Sequence, residues 1–372
     1  MGKTVLLKLL DLLLGTPLVH AARLIVPRKN VSEIHKILFI RPGGIGDAVL
    51  LIPAIKAIKQ KYPEAQIDIL AEKRNCGVFS ICPEVRDINL YDRPKELWKV
   101  IRNGYDIVID TEQWHRLSAV VARLTKASVC AGFGANERGK LFTHRVPYSH
   151  DDYEADSFLH LIEPVAGKVV FDPDRPFLSV PSGLTGKVSS HLMQLSGRKI
   201  VAIFPGGSIP EKRWGAERFH KVAMELAGKG YGIVVIGGKE DVAEGEAISE
   251  CIPVVINLCG RLSLSETAAV LKEAALLITG DSGMMHIAYG LGTRTLALFG
   301  PGIEKKWAPR GRDSVVMNKG LDCSPCTVFG YTPGCKRRAE CMRLITVEEV
   351  CGKAIELLKK NFQYVNPRQS IL

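Results

Sequence analysis

Asp47 is the first residue whose position suggests chemistry. The stretch "FIRPGGIGDAVLLIPAIKAIKQKYP" (39–63) joins an apolar strand to a helix-period run through a turn with three glycines. The turn departs from the dinucleotide pattern GxGxxG, because Val49 stands where the last glycine is required. A carboxylate at this helix start also disfavours a pyrophosphate, which binds backbone N–H groups in a positive field. The turn therefore argues against an NAD-dependent oxidoreductase. The structural alternative for Asp47 is that it satisfies the positive end of a helix dipole.

A second loop carries charges that suit an anion. The stretch "FPGGSIPEKRW" (204–214) follows a strand, and the backbones of Gly206 and Gly207 can approach a phosphate closely. Ser208 and Lys212 add a hydroxyl and a cation. The loop indicates a phosphate site, although an ordinary strand-to-helix turn with a solvated charged end has the same pattern.

A third segment, "TGDSGMMHIAYGLGTRTLALFGP" (279–301), combines a strand end with a helix start. Asp281, Ser282 and Gly283 stand where backbone N–H groups point at a ligand. His286 lies about one helical turn further along and can reach the same ligand. Taken singly, His286 is typical of a buried structural histidine and Asp281 of a helix N-cap.

Alternating strands and helices must position these residues. From Ile34 onward, short apolar runs alternate with helix-period segments, which is typical of βαβ units and parallel sheets. The pattern breaks at 171–187, where three prolines and no helical period indicate an extended linker. The predicted strands lie at 36–40, 66–71, 105–110 and 128–133 before this break, and within 199–208, 231–241, 254–260, 276–283 and 294–302 after it.

The sequence thus predicts an α/β protein with two Rossmann-like, doubly wound parallel-sheet domains facing across a cleft. Ligands of such sheets bind beyond the carboxyl ends of the strands, where the residues above lie. The predicted divisions are an N-terminal amphipathic segment (1–33), a first domain (34–175), a linker (176–198), a second domain (199–345) and a C-terminal helix and tail (346–372).

Charge and composition narrow the partners. The chain has 372 residues, a formal charge of +11 and 46% hydrophobic residues, enough for two sizeable cores. The charge favours acidic partners such as nucleic acid, anionic lipid or phosphorylated small molecules. Aromatic residues make up 7% and do not alternate with Lys and Arg as a base-stacking surface requires, which disfavours nucleic acid.

The blocks at 39–63, 204–219 and 280–301 together resemble glycosyltransferase family 9, the ADP-heptose:lipopolysaccharide heptosyltransferases. The resemblance runs in order over roughly residues 36 to 345. It implies the GT-B fold and an inverting transfer, in which an acceptor hydroxyl attacks the donor sugar and ADP leaves. By the resemblance, Asp47 is the general base and Lys212 holds the donor diphosphate.

The resemblance also implies which residues bind each substrate. The donor residues are Gly206, Gly207, Ser208, Lys212, Glu240, Asp281, Ser282, Gly283 and His286, with Glu240 near the ribose. The acceptor residues are Gly44 and Gly46 in the first turn and Asp110, Gln113 and Arg116 in "DTEQWHRLS" (110–118), which are expected to contact a phosphorylated core sugar. Trp114 and His115 replace the small residue that usually follows the glutamine, which puts the identity of the acceptor in doubt. Asp241 and Glu244 compete with Glu240 for the ribose role.

The N-terminal 27 residues raise a targeting question. Lys8 and Asp11 interrupt the apolar stretch, and Pro17 ends it before the ~20 residues that span a bilayer. Thr4, Lys8, Asp11 and Gly15 form one polar stripe of a helix, so the segment either lies in a membrane interface or packs on the protein's own surface.

Ten cysteines without an export signal indicate reduced thiols. Cys323, Cys326, Cys335 and Cys341 form a CxxC pair followed by two more thiols, the pattern of a structural zinc site. Buried thiols and an iron–sulfur cluster are the alternatives.

The sequence therefore predicts a cytoplasmic glycosyltransferase, peripheral on the inner membrane, that moves a heptose or related sugar from ADP-heptose to an anionic lipopolysaccharide-type glycolipid. Catalysis by this route requires no cofactor, although a divalent ion can assist at the diphosphate. The alternatives are a relative that uses another nucleotide sugar and a non-catalytic glycolipid-binding protein on the same scaffold.

Overall fold

Two parallel six-stranded sheets, each flanked by helices, form the protein. The computed structural model describes residues 11–28, 33–328 and 331–360. The remaining parts of the predicted N-terminal segment and C-terminal tail, residues 1–10, 29–32 and 361–372, lie outside the described residues. Thr4 and Lys8 of the predicted polar stripe are among them.

The first sheet has the strand order β3-β2-β1-β4-β5-β6, with every neighbouring pair parallel. Its strands are β1 (Lys36–Arg41), β2 (Gln66–Ala71), β3 (Val85–Leu90), β4 (Ile107–Asp110), β5 (Val129–Phe133) and β6 (His144–Val146). The helices up to the second sheet are α1 (Thr16–Ala22), α2 (Ile45–Leu50), α3 (Ile52–Lys61), α4 (Cys76–Phe79), α5 (Pro94–Arg102), α6 (Arg116–Leu124), α7 (Glu154–Ala166) and α8 (Ser182–Leu192).

The second sheet has the order β12-β11-β10-β7-β8-β9 and repeats the first when its strands are counted from β7. Its strands are β7 (Ile200–Phe204), β8 (Gly232–Val235), β9 (Val255–Asn257), β10 (Leu276–Gly280), β11 (Thr295–Phe299) and β12 (Ser314–Asn318). The helices are α9 (Ala216–Gly228), α10 (Val242–Ser249), α11 (Leu264–Glu273), α12 (Gly283–Leu291), α13 (Glu304–Trp307), α14 (Glu340–Arg343) and α15 (Val347–Lys359). Both orders are doubly wound, so the predicted fold class is confirmed.

Burial explains which strands the sequence predicted. The central strands β1, β10 and β11 are almost completely buried, and strands covered on both faces read as continuous apolar runs. The three strands without a prediction, β3, β6 and β12, are short or half-buried and lie at or beside a sheet edge. Because these strands contain polar residues, a search for apolar runs does not detect them.

The predicted linker is only partly extended. Helix α8 begins directly after Pro181 and fills the middle of 176–198, where we expected extended chain. Its buried residues Val188 and Leu192 belong to the main hydrophobic core, and the helix packs on α11. Two glycines and several Ser and Thr residues dilute its apolar pattern, and packing on α11 rather than propensity stabilises it.

The N-terminal segment packs on α6 with its polar side inward. Val19 and Ala22 of α1 are buried against the α6 residues Ala119 and Val120. Asp11 is also buried and accepts hydrogen bonds from the first backbone N–H groups of α6, at 2.8 and 3.2 Å. Asp11 and Gly15, the members of the stripe within the described residues, therefore face the protein. The outward side carries exposed leucines, Leu12, Leu13, Leu14 and Leu18.

Within the described ranges, no helix combines the length and apolar character needed to cross a membrane.

Candidate active site

A cavity of about 560 Å³ opens between the carboxyl ends of the two sheets. Most of the residues predicted from the glycine-rich loops line it. From the first domain it receives Gly44, Gly46 and Asp47, and from the second Gly207, Ser208, Lys212, Glu240, Asp281, Ser282, Gly283 and His286. Residues far apart in the sequence thus share one cavity.

Asp47 lies in the first turn of α2, immediately after the glycine-rich turn. Its Oδ2 accepts a hydrogen bond from Arg41 Nη2 at 3.2 Å, and its side chain keeps 27% of its surface exposed. Arg41 is buried and also donates to the Thr111 carbonyl at 3.0 Å. Gly43 has a φ of +113°, and a Cβ there would meet Arg41 Nη2 at 2.8 Å. The turn thus needs this glycine to let Arg41 hold a carboxylate that remains open to a ligand.

Lys212 and Asp281 form the second charged pair. Lys212 ends a short 3₁₀ turn (Pro210–Lys212), and its Nζ lies 2.5 Å from Asp281 Oδ2. Asp281 follows β10 directly. The N-cap of α12 is Ser282, whose Oγ accepts from Met285 N, so Asp281 does not have the capping role considered from the sequence. A cation held by a strand-end carboxylate can exchange partners with an incoming phosphate.

His286 lies at the contact between the domains. A Cβ on Gly46 would approach His286 Cδ2 within 2.6 Å, and a Cβ on Gly283 would approach Ile45 Cβ within 2.7 Å. Both glycines therefore allow α2 and α12 to touch. Burial lowers the pKa of His286 to about 4, against the opposing charges of Asp281 and Asp47. His286 is neutral near pH 7, and its Nδ1 has no hydrogen-bond partner among the described residues.

We expect His286 to make stability depend on pH. Its folded pKa of about 4 lies below the ordinary value of 6.5, so between these values the unfolded chain binds a proton that the native protein does not. The free energy of unfolding should therefore fall as the pH falls from 7 to 5, by about 2 kcal/mol from this residue. Urea unfolding of wild type and His286→Gln at both pH values measures the difference. The exposed His35→Gln variant should keep the wild-type slope, and an equal slope in His286→Gln would contradict the assignment.

The structure distinguishes the three acids near the predicted ribose site. Asp241 accepts from Gly238 N at 2.9 Å and pairs with Arg213 at 3.3 Å, and Glu244 pairs with the same arginine at 2.5 Å. Glu240 is exposed and lines the cavity. Of the three, Glu240 is placed to meet a ligand without giving up an ion pair to Arg213.

Gly206 does not line the cavity, in contrast to the prediction. A Cβ there would lie 2.7 Å from Asp241 Oδ1. This glycine is needed for the approach of the loop to Asp241.

Two predicted acceptor residues are structural. Asp110 has no exposed surface and pairs with the equally buried Arg138 at 2.6 Å. Arg116 is buried between Asp11, at 3.2 Å, and Glu137, at 2.7 Å. Their polar atoms are occupied within the first domain, which does not favour contact with an acceptor, and the acceptor role of both stays a prediction.

Gln113 is also buried and outside the cavity lining. Its Nε2 donates to Glu154 Oε1 at 2.6 Å. It lies behind the site and does not face an acceptor.

We expect Asp110→Ala to destabilise the protein without changing substrate affinity. The substitution leaves the Arg138 guanidinium buried without its carboxylate, which costs about 3–5 kcal/mol in comparable cases. Urea unfolding measures the loss. Asp87→Ala, which breaks a partly exposed pair with Lys99, should cost less than about 1 kcal/mol. A stable Asp110→Ala protein with a raised acceptor KM would restore the original prediction.

The described structure does not gather the four clustered cysteines into a metal site, and the zinc site stays a prediction. Among the described residues no group of three or more His, Cys, Asp or Glu side chains could hold a metal. Cys341 packs in the core of the second domain, and Cys335 Sγ accepts from Ala339 N at 3.3 Å. Burial raises the pKa of the Cys326 and Cys341 thiols, and the charges of the other cysteines of the cluster raise it further.

Sequence reasoning did not assign several cavity residues. Arg41 is the last residue of β1 and holds Asp47 from outside the cavity lining, so its position was a usable signal. Arg74, Trp307, Thr327 and Thr332 line the cavity. Thr327 and Thr332 come from the cysteine-rich loop, and their hydroxyls lie 2.9 Å apart. No local pattern places such loop residues at the cleft.

Comparison with known proteins identifies relatives of the whole fold. The model of glycosyltransferase family 9 (heptosyltransferase) matches residues 95–335. Lipopolysaccharide heptosyltransferase 3 of Escherichia coli is 29% identical over 287 residues, which cover 71% of this chain and 83% of that protein.

Two solved structures have the same two-domain fold. The E. coli ADP-heptose lps heptosyltransferase II has a TM-score of 0.73 at 23% identity, with 87% of this chain and 98% of that chain covered. The E. coli heptosyltransferase WaaC with ADP-2-deoxy-2-fluoro heptose has a TM-score of 0.65 at 18% identity, with 86% and 99% covered. The predicted GT-B architecture is confirmed.

Proposed function

Because the chain belongs to glycosyltransferase family 9, we propose that it transfers a heptose from ADP-heptose to a lipopolysaccharide core or lipid A-type acceptor, with inversion at the anomeric carbon. The observation that carries this proposal is the arrangement of charges in one cavity. Asp47 lines it from the first domain, and the Lys212–Asp281 pair lines it from the second. A base on one side and a cation on the other are what a direct displacement requires.

The reaction replaces one C–O bond of the anomeric carbon with another and moves one proton. An acceptor hydroxyl attacks the anomeric carbon while Asp47 takes its proton. The bond from that carbon to the β-phosphate oxygen breaks, and ADP leaves with the electron pair. Lys212 stabilises the negative charge that develops on the diphosphate. Arg41 keeps the Asp47 carboxylate oriented towards the cavity.

The donor domain supplies several further contacts. Gly207, Ser208, Ser282 and Gly283 present backbone and hydroxyl groups beside Lys212, and such groups bind phosphates. Glu240 binds the ribose hydroxyls. His286 contributes a neutral ring, which can donate one hydrogen bond without adding charge.

On the acceptor side, Arg74 is the cation that replaces Arg116 in our assignment. It lines the cavity from the first domain, with 63% of its side chain exposed, and pairs only with the neighbouring Glu72 among the ion pairs of the described residues. An exposed pair of this kind is weak, so an anionic group of the acceptor glycolipid can replace Glu72. No cofactor has a role in these steps. Assistance by a divalent ion at the diphosphate stays a prediction.

The protein works in the cytoplasm at the inner membrane in this proposal. Support comes from the exposed leucines of the N-terminal segment, beside a chain of high positive charge. Apolar side chains inserted at the interface and basic groups near anionic headgroups both favour peripheral binding.

We expect replacement of Leu13, Leu14 and Leu18 by glutamine to reduce binding to vesicles that contain anionic lipid. Deletion of the whole segment is less informative, because Asp11 holds α6 and Arg116. Co-flotation with vesicles measures the loss. Met224→Gln removes an exposed apolar residue of α9 in the second domain and should leave binding unchanged. Unaltered flotation of the triple variant would contradict membrane contact through this segment.

Titration calorimetry with ADP, UDP and GDP tests the donor. Selective binding of ADP supports ADP-heptose. Preference for UDP or GDP keeps a glycosyltransferase but excludes heptose from ADP-heptose as its donor. Absence of binding to all three favours the non-catalytic scaffold.

A further inference from the structure

Lys306 reaches from the second domain into the first. It belongs to α13, next to the cavity residue Trp307. Its Nζ lies 3.0 Å from Glu154 Oε2 and donates to the carbonyls of Ser149 and Asp152, each at 3.2 Å. Lys306 and Glu154 are each 1% exposed. An ammonium group has three protons, so its hydrogen-bonding capacity is met entirely by the opposite domain.

Glu154 connects this contact to the loop behind the cavity. It begins α7, and its Oε1 accepts from Gln113 Nε2 at 2.6 Å. Its Oε2 also accepts from Tyr148 OH at 2.9 Å. Burial and the nearby charge of Asp47 raise the pKa of Glu154, against the opposing effect of Lys306. The electrostatic influence of Asp47 indicates that the pair lies near the carboxylate that we assign as the base.

Stability does not explain a buried pair of this kind. Removing two charges from water costs about as much as their attraction returns, and apolar residues of similar size are often equally stabilising. What the pair adds is a specific geometry between the domains, because the ammonium group must contact three oxygens at once. Among the described residues, three other ion pairs join the two domains, Lys305–Asp151, Arg310–Asp156 and Arg312–Asp174, but all three are substantially exposed. Exposed pairs contribute little.

We propose that Lys306 and Glu154 are positioning residues that hold the two domains in the arrangement in which Asp47 faces the Lys212–Asp281 pair. The inference rests on the proposed function for the roles of Asp47 and Lys212. The two groups lie on different domains, and a displacement of about 1 Å between reacting groups can cost about 100-fold in rate. The pair therefore controls the rate of transfer rather than the affinity for the donor.

Three variants separate positioning from stability. Lys306→Met and Glu154→Gln each leave one buried charge unpaired, so both should lower the melting temperature by more than about 5 °C. The double variant Glu154→Gln/Lys306→Met contains neither charge and should recover most of this loss. In all three, kcat should fall about 100-fold, while the Kd for ADP stays within twofold of the wild-type value. Lys305→Met and Asp156→Asn, which break two of the exposed pairs, should retain wild-type kcat.

A double variant that recovers both melting temperature and kcat would show that the pair is only structural. The proposal would also be overturned if Lys306→Met and Glu154→Gln had the same kcat as the control variant Lys305→Met. A loss of ADP affinity as large as the loss of kcat would place the effect on the donor pocket instead.

Hydrogen exchange followed by mass spectrometry tests the pair without any sugar substrate. In the double variant, segments 149–156 and 304–310 should exchange faster than in wild type, although the melting temperature is largely restored. Unchanged protection of both segments would overturn the proposal. If the wild type transfers no heptose, but both segments lose protection in the double variant, the proposed function fails while the positioning role stands.

Discussion

Asp47→Asn should lower kcat by about 10²–10⁴-fold, the range that a general base contributes. Asparagine has almost the same shape, and its Oδ1 can still accept from Arg41 Nη2, which lies 3.2 Å from the native carboxylate. Arg41 also keeps its bond to the Thr111 carbonyl. The turn should therefore retain its conformation. What the variant loses is the negative charge that accepts the proton of the attacking hydroxyl.

Donor binding provides the internal control for this experiment. In our proposal Asp47 acts on the acceptor hydroxyl, so the Kd of Asp47→Asn for ADP should equal that of wild type. Asp87→Asn, an acid paired with Lys99 away from the cavity lining, should keep normal turnover. Initial rates at saturating donor and acceptor measure kcat. Near-normal turnover of a folded Asp47→Asn protein would exclude this residue as the base.

The parts of the site that the sequence predicted are those that follow strands. Asp47 and Lys212 follow the first strand of each sheet within a few residues, and Asp281 follows β10 directly. Carboxyl ends of parallel strands meet at one edge of a sheet, so a strand prediction also places these residues. The carboxyl edges of the two sheets face each other, so the residues that follow their strands line one cleft.

The structure pairs two predicted acceptor residues with partners distant in the sequence. Asp110 ends strand β4, but Arg138 neutralises it from 28 positions away. Arg116 meets Asp11, which is 105 positions away. A residue type and its place after a strand do not reveal whether another part of the chain already pairs with it. Cysteine spacing has a related limit, because it does not specify which thiols enter the core, as Cys341 does.

The exposed N-terminal leucines are a further feature that the sequence pattern did not predict. The periodic polar stripe predicted an amphipathic helix but not which side faces the protein. Asp11 decides this, because a buried carboxylate at the N-terminus of α6 satisfies backbone donors and interacts favourably with the helix dipole. Leu12, Leu13, Leu14 and Leu18 are therefore left outward, while Val19 and Ala22 pack on α6.

Lys212→Ala should lower kcat by about 10²–10³-fold and also weaken ADP binding. A positive group at the leaving diphosphate stabilises charge that develops in the transition state, and the loss of one such group has effects of this size. The structure adds a second cause. Lys212 Nζ lies 2.5 Å from Asp281 Oδ2, and Asp281 is almost completely buried. Removal of the lysine therefore leaves an unpaired carboxylate facing the diphosphate. Calorimetry and initial rates measure the two losses separately.

Asp281→Asn in the Lys212→Ala background separates these causes. Asparagine removes the repulsion between Asp281 and the diphosphate, so the double variant should regain part of the ADP affinity that Lys212→Ala loses. It should not regain the rate, because no cation is left at the leaving group. Such non-additive behaviour is expected for residues in contact. Lys221→Ala, which removes an exposed lysine of α9 paired with Glu217, is the matched control and should behave as wild type. If Lys212→Ala alone retained both affinity and rate, the diphosphate would have to bind elsewhere in the cleft, and the assignment of the second domain as the donor side would fail.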